Sequence, residues 1–575
     1  KKLSYNVLRN MVVFQALTWE ANDDKDDNKH LVSIFGKTCD GKSVCITTEF
    51  KPYFYVKLPR QDSKSWATIW HDKICKLCPD FNIEFDIVNS KDVWGFQNNE
   101  EFSFMKLIFE TLSERRSTSY KLKRNLPGEI SRLKVFESNL DPVLRLMHLS
   151  GIQSTGWLDS GDNCEDNNIA NVDIDKFCSD WKQLKPVDNP ETAPFVVCSL
   201  DIECNSSTGK FPDANINGDC CFQIAVSLCI FGKDVPYDKT CFCYKKTDPD
   251  LEGCNILSYS SEREMLEAFS VYMKKMDIDI ITGWNIFGFD LDYIITRAKK
   301  LRCSSNFFNM SKFREYTCNI KPKKLSSSAL GDNELKLLPL PGRFVFDLFH
   351  EVKKGYKLDS YKLDNVSKLY LGDNKIDMPA KEMFARFIEE DPVKLREVAE
   401  YCIKDTLLPH RLLSKLCILI NLLEMAKATW VPLSYLVERG QQIKVFSQLT
   451  KKAREMGYLV PTIAWGEGMV EGYEGATVLE AQKGAYYTPI TALDFEALYP
   501  SIMMAHNLCY STLIMDPKYE NKENYPDLEI ETFGKFKFVQ NVPSLLPSIL
   551  LELKQFRKQA KKDMANSTGS LQQMY

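Results

Sequence analysis

The chain has no basic surplus: 74 lysines and arginines stand against 78 aspartates and glutamates, a net charge of −4. Whole-chain charge therefore gives no argument for a nucleic-acid partner, and only local clusters can. No uninterrupted apolar run is long enough to cross a bilayer, so no membrane partner is expected. The opening stretch, Lys1–Asn10, is polar, lacks the apolar segment of a secretory leader and has no initiator methionine. The expectation is an intracellular protein whose given sequence begins inside a longer reading frame. Zinc-site spacing is also missing. Cys75 and Cys78 form a lone pair, and Cys220, Cys221, Cys241 and Cys243 could meet only across strands. The 19 cysteines are odd in number and sit in apolar segments, a pattern expected of buried free thiols in a reducing compartment rather than of disulfides.

What is present is a long soluble composition, 575 residues with 44% hydrophobic and 26% charged, enough for several cores. Val12–Trp19, Leu31–Thr38, Ser43–Thr48 and Tyr53–Leu58 read as strands, with a hairpin turn at Cys39–Lys42. A helix is expected around Trp66–Cys78, a strand over Phe102–Leu112, and a helix with proline in its first turn over Asp141–His148. The polar stretch Gly161–Pro194, with Pro186 and Pro190, reads as a linker. The acidic loop of Asp23, Asp24, Asp26 and Asp27 reads as solvated.

Phe195–Leu200 reads as a buried strand running into Asp201-Ile202-Glu203. Strand alternation puts the two acids on one face, where they repel unless a cation lies between them. A second strand, Ile278–Thr282, turns through Asn285 into a helix starting near Phe289 and Asp290. On a third element, a helix over Val393–Leu413, Tyr401 and Asp405 are four apart and share a face. Taken alone, any of these acids is ordinarily a solvated or structural group. Four carboxylates and a tyrosine spread over strand, loop and helix suit a two-metal phosphodiester hydrolase.

Near the end, Thr488–Leu493 reads as a strand delivering Asp494. A turn through Ala497, Leu498 and Tyr499 and a helix with Pro500 in its first turn follow. An acid beside open backbone N–H groups suits a divalent metal and a polyphosphate. Leu545–Met564 reads as a helix with a basic face that includes Arg557 and Lys561. Tyr473–Ala476, with Gly472 before it, is a small-residue turn, and Val437–Lys444 opens a connecting helix.

The strings DFEALYPSI (494–502), Asp-x-Glu, Asn-x-x-x-Phe-Asp and Tyr-x-x-x-Asp, in this order, resemble family B DNA polymerases. The similarity is greatest to the delta type and to those of large DNA viruses. Lys51–Val56, Trp94–Phe96, Phe136–Asn139 and Gly156-Trp157 resemble the N-terminal domain of the same family. Leu325–Gly331 resembles the segment near its exonuclease hairpin.

The resemblance implies a multidomain α/β protein. Its expected parts are a mixed α/β N-terminal domain over 1–190, an RNase H-like 3′–5′ exonuclease domain over 191–420, and the start of a palm and fingers over 421–575. It implies that Asp201, Glu203, Asp290 and Asp405 bind metal, that Tyr401 positions water, and that Asn285 and Phe289 hold a frayed primer end. Asp347 is left as structural. Asp494, with the Phe495 carbonyl, would bind Mg2+ (or Mn2+), two ions per active site. Backbone groups at Ala497, Leu498 and Tyr499 would hold the triphosphate, Tyr499 would exclude a 2′-hydroxyl, and Arg557 and Lys561 would grip the phosphates.

Expected partners are primer–template DNA, deoxynucleoside triphosphates and, through a C-terminal part, a sliding clamp. The expected location is the host nucleus or a cytoplasmic viral replication site if viral, and otherwise the nucleus. The second palm string, Asp-Thr-Asp, and the Asn-Ser-x-Tyr-Gly string are not in the sequence. The expectation is therefore an N-terminal portion with a complete exonuclease site and an incomplete polymerase site. A stand-alone exonuclease and a non-catalytic polymerase-fold scaffold are the alternatives. The motif around Asp494 argues against the first, and the intact acids argue against the second.

Overall fold

The computed structural model describes residues 11–59, 63–123, 133–233, 235–327, 331–373, 378–463, 475 and 477–566. The chain divides into two compact units. One takes the chain up to Phe50 together with Asp141–Ser447; the other takes Lys51–Leu140 and the chain from Gln448. The segment 1–190 is thus shared between both units.

In the first unit, Val13–Asp24, Lys29–Lys37 and Ser43–Glu49 form an antiparallel meander. The Asp24 carboxylate accepts the backbone N–H groups of Asp26 and Asp27 and so closes the first turn of the meander. Gly41, at φ 90°, allows the second. The expected linker is not one. Cys164–Asp166, Ile174–Cys178 and Lys185–Val187 lie within it, and all three join the meander and Trp157–Asp159 in a seven-stranded sheet. Two of them are edge strands, where one face and one row of backbone groups meet water. A polar sequence is therefore tolerated there, including Pro186, which has no N–H to give a ladder. The expectation of free thiols also needs one correction. Cys164 and Cys178 stand directly opposite each other on neighbouring antiparallel strands and are disulfide-bonded, while the other 17 cysteines keep their thiols.

The second sheet of this unit is mixed and six-stranded. Its order is Asn255–Tyr259, Asp238–Tyr244, Cys221–Ile230, Val196–Cys204, Ile280–Thr282 and Phe344–Val345. The strand carrying Asp201 and Glu203 is central, antiparallel to Cys221–Ile230 and parallel to Ile280–Thr282. Its apolar run is what a strand covered on both faces requires. Helices Glu262–Lys275, Asp290–Lys300 and Pro392–Lys415 pack on the sheet. Asp391 caps the last of these by accepting the N–H groups of Val393 (2.9 Å) and Lys394 (3.3 Å), with Pro392 in the first turn.

Buried charges tie the parts of this unit together. Asp279 accepts from Lys37 Nζ (2.7 Å), Lys312 Nζ (2.5 Å) and the Val196 N–H (2.8 Å). Arg297 pairs in bidentate fashion with Glu262 and donates to the Ile216 carbonyl at 2.9 Å, which holds the loop that follows the acid strand. Lys321–Ser327 and Gly331–Leu337 form an antiparallel hairpin, as the string near Leu325 implies. The helix that Val437–Lys444 opens begins late in the string: Leu433–Glu438 ends at Arg439, which is extended, and Gln442–Glu455 starts after Gly440.

In the second unit, Tyr458–Leu459, Ile83–Asp92, Phe102–Phe109, Tyr53–Lys57 and Val135–Phe136 make a five-stranded sheet. The Trp94–Phe96 string is a clasp within this unit. Gly95 donates to the Tyr510 carbonyl at 3.0 Å, Phe96 to the Leu513 carbonyl at 2.7 Å, and Trp94 stacks on Tyr510 at 5.3 Å. Helices Leu498–Ala505 and Leu545–Asn566 occur as expected and lie against each other. The strand expected at Thr488–Leu493 does not form. A buried strand needs neighbours for its backbone, and among the described residues none pairs with it, so Leu493 is 93% exposed. Of Tyr473–Ala476 only Gly475 lies within the described residues.

Candidate active site

The central strand delivers Asp201 half-buried and Glu203 buried, with Ile202 on the opposite face among core residues. The register slips between Glu203 and Cys204, a bulge at the end that carries the acids. Asp290 opens its helix immediately after Phe289, so its carboxylate lies where a helix N-terminus favours negative charge. It is buried, and the backbone of Ile202, the residue between the two strand acids, lies close enough to favour its charged form. Burial raises its carboxyl to about 7, and the charges of Asp347 and Asp405 push in the same direction.

Asp405 and Tyr401 lie on the Pro392–Lys415 helix, both buried. Tyr401 packs beside Phe222, Phe387 and Leu395, which fixes its ring. From the same helix Cys402, fully buried, puts its sulfur 3.6 Å from the Asp201 carbonyl and 3.6 Å from Asp201 Oδ2. One ligand atom each from Asp201, Glu203 and Cys402 lie within 4.8 Å of one another, a donor set that could hold a cation. Burial pushes the Cys402 thiol well up, and the charges of Asp201, Glu203 and Asp405 add to that. The sequence reading missed Cys402. The available cue was its position three residues before Asp405 on one helix, which makes the two neighbours in space.

The Asn285 loop is built from Asp347. Its carboxylate accepts the N–H groups of Asn285 (2.9 Å), Phe287 (2.9 Å) and Phe349 (3.0 Å). Burial raises this carboxyl to about 7. All three bonds go to backbone, in keeping with the structural role expected of Asp347. Phe289 meets Phe211 at 5.1 Å and Tyr293 at 5.0 Å, and Phe211 is 77% exposed.

The fold thus brings Asp201 and Glu203 to one strand end within ligand distance of Cys402, and Asp405 close enough for its charge to act on both Cys402 and Asp290; Asn285, Phe289 and Tyr401 are placed by the elements that carry the acids. The later set is different. Asp494 is exposed in irregular chain, and Phe495 and Tyr499 are more than 70% exposed. Ala497, at φ 52°, starts the helix whose first turn holds Leu498 and Tyr499. Arg557 and Lys561 are exposed on the Leu545–Asn566 helix.

Comparison with known proteins agrees with this architecture. The structure of the family B DNA polymerase from the hyperthermophilic archaeon Pyrobaculum calidifontis superposes with a TM-score of 0.70 at 20% identity, covering 97% of this chain and 65% of the other. That likeness gives the fold class. Two family models then match in sequence: DNA polymerase family B, exonuclease domain, over residues 133–366, and DNA polymerase family B over 431–575. A DNA polymerase of Paramecium bursaria Chlorella virus NY2A is 36% identical, covering 97% of this chain and 62% of its own length. The DNA polymerase delta catalytic subunit of Drosophila melanogaster is 34% identical over 94% of this chain and 52% of its own. The chain belongs to the family B DNA polymerases and carries sequence of both the exonuclease and the polymerase domains. It spans between half and two thirds of the length of these relatives.

Proposed function

We propose that the protein is a replicative DNA-directed DNA polymerase that also excises mispaired 3′ ends. The observation that carries the excision reading is the convergence of two strand acids, a helix-start acid and a helix acid on one strand end. In this reading Asp201, Glu203, Asp290 and Asp405 hold two Mg2+ or Mn2+ ions, which when bound activate water and stabilise the leaving oxygen. The donor chemistry fits, because Glu203, Asp290 and Asp405 are buried, Asp201 is half-buried, and carboxylate oxygens are the ligands such hard ions take. Tyr401, held by its apolar neighbours, orients the attacking water through its hydroxyl. Asn285 and Phe289 hold the unpaired primer end, Asn285 through its amide and Phe289 by stacking on a base.

For synthesis, Asp494 with the Phe495 carbonyl binds the metal ions of nucleotidyl transfer. Backbone groups at Ala497, Leu498 and Tyr499 and the side chains of Arg557 and Lys561 hold the deoxynucleoside triphosphate, and Tyr499 excludes a 2′-hydroxyl. Primer–template DNA and deoxynucleotides are the substrates, and a sliding clamp is the partner suggested by the delta relatives. The site of action is the nucleus or a viral replication site.

The test is a magnesium-dependent assay with a labelled primer carrying a mismatched 3′ end, run with and without deoxynucleotides beside an Asp201→Ala, Glu203→Ala variant. Excision by the parent that disappears in the variant supports the reading. Equal excision by both proteins defeats it.

A further inference from the structure

Cys402 has no part in that mechanism, yet it is the side chain nearest to completing the donor set. Its sulfur is 3.6 Å from Asp201 Oδ2, and ligand atoms of Asp201, Glu203 and Cys402 lie within 4.8 Å of one another. The thiol has no access to water. Behind it stands a second layer of sulfur. Cys241, also fully buried, packs in the same cluster as Cys402, and its sulfur is 3.6 Å from that of Cys243. One wall of the centre is therefore polarisable sulfur where water or hydroxyl would suit a hard ion. Magnesium takes oxygen ligands and keeps several waters, whereas zinc-class ions accept thiolate beside carboxylate. Zinc-class bonds run about 2.0 Å to oxygen and about 2.3 Å to sulfur, within reach of small side-chain rotations from this spacing.

We propose that Cys402 makes this centre a seat for a thiophilic divalent cation of the zinc and cadmium class, bound jointly by Asp201, Glu203 and the Cys402 sulfur. The inference rests on the reading of the centre as a cation site. Binding forms a metal–thiolate bond as the thiol proton passes to solvent by way of the half-buried Asp201 carboxylate, with no change of oxidation state. Such an ion competes with the oxygen-bound ion for Asp201 and Glu203, so it acts as an inhibitor of excision that depends on Cys402.

Crystals of the chain soaked in cadmium, read by anomalous diffraction, test this directly. The expected result is a cadmium peak bounded by Asp201, Glu203 and Cys402 that is lost in Cys402→Ser. In solution, Cys402→Ser is expected to weaken Cd2+ binding at this seat about tenfold or more. Mn2+, followed by electron paramagnetic resonance, remains bound and shows that the variant is folded. Cadmium found only at other thiols, or held by the carboxylates with the sulfur turned away, overturns the proposal, as does equal Cd2+ affinity in the two proteins. Cadmium at the seat in a chain that never excises would leave this inference standing and remove the excision reading. Excision without the cadmium seat would do the reverse.

Discussion

The Asp347 carboxylate accepts the backbone N–H of Asn285 at 2.9 Å, and Asn285 stands at φ 67°, in the left-handed region. The same carboxylate takes the N–H groups of Phe287 and Phe349. Asp347→Ala leaves these donors without their acceptor. Each buried donor left unmade costs about 1–3 kcal/mol, and partial relaxation of the loop should hold the total near 3 kcal/mol. Denaturant unfolding measures it, and a loss below about 1 kcal/mol would mean that the loop does not depend on Asp347.

Gly288 is a sharper probe of the same loop. A Cβ there would fall 2.4 Å from Asn285 Oδ1, so the amide must turn away. Gly288→Ala is expected to raise the KM for a mismatched primer end with little change in melting temperature. An unchanged KM would show that the Asn285 amide does not touch the substrate.

The Arg297–Glu262 pair is buried on both sides, with side-chain exposures of 2% and 6%. Arg297→Ala strands a carboxylate that also holds the Cys221 N–H at 2.9 Å. The expected loss is about 3–5 kcal/mol by denaturant unfolding. A loss typical of surface pairs, about 1 kcal/mol or less, would contradict the packing described.

His410 gives a pH dependence whose sign is fixed. Its Nε2 donates to the Ser227 carbonyl at 3.0 Å, and burial pushes its pKa down to about 4. An unfolded histidine titrates near 6.5, so between these values the unfolded chain binds the extra proton. The contribution of His410 to stability is complete above about pH 6.5 and falls by roughly 3 kcal/mol as pH drops to 4. Against His410→Gln, which cannot titrate, the stability difference should shrink across that window. Parallel stability curves for the two proteins would rule this out.

The acid strand was legible because two independent patterns coincide in it: an apolar run long enough for a central strand, and alternation that fixes Asp201 and Glu203 on one side. Tyr401 and Asp405 were legible from helical spacing alone. Ile174–Cys178 and Lys185–Val187 were not, because their pairing is decided by distant partners and not by their own polar sequence. Thr488–Leu493 fails in the opposite direction: its pattern suits a strand, but among the described residues no neighbour pairs with it. The Cys164–Cys178 bridge could not be read from an odd cysteine count, which says nothing about which two face each other across a ladder. Cys402 was visible as a residue but not as a neighbour of Asp201, a contact that exists only once helix and strand are packed.

Single-turnover excision of a mismatched end by Asp405→Asn, measured together with the melting temperature of the metal-free protein, tests the central claim most directly. Asp405 is buried, and its charge opposes ionisation of Asp290. The account predicts a rate lower by roughly a thousandfold or more, with a melting temperature equal to or above that of the parent, because a repulsive charge has been removed from a site built for cations. A variant that excises at the parental rate would contradict the assignment of these four acids as one catalytic centre.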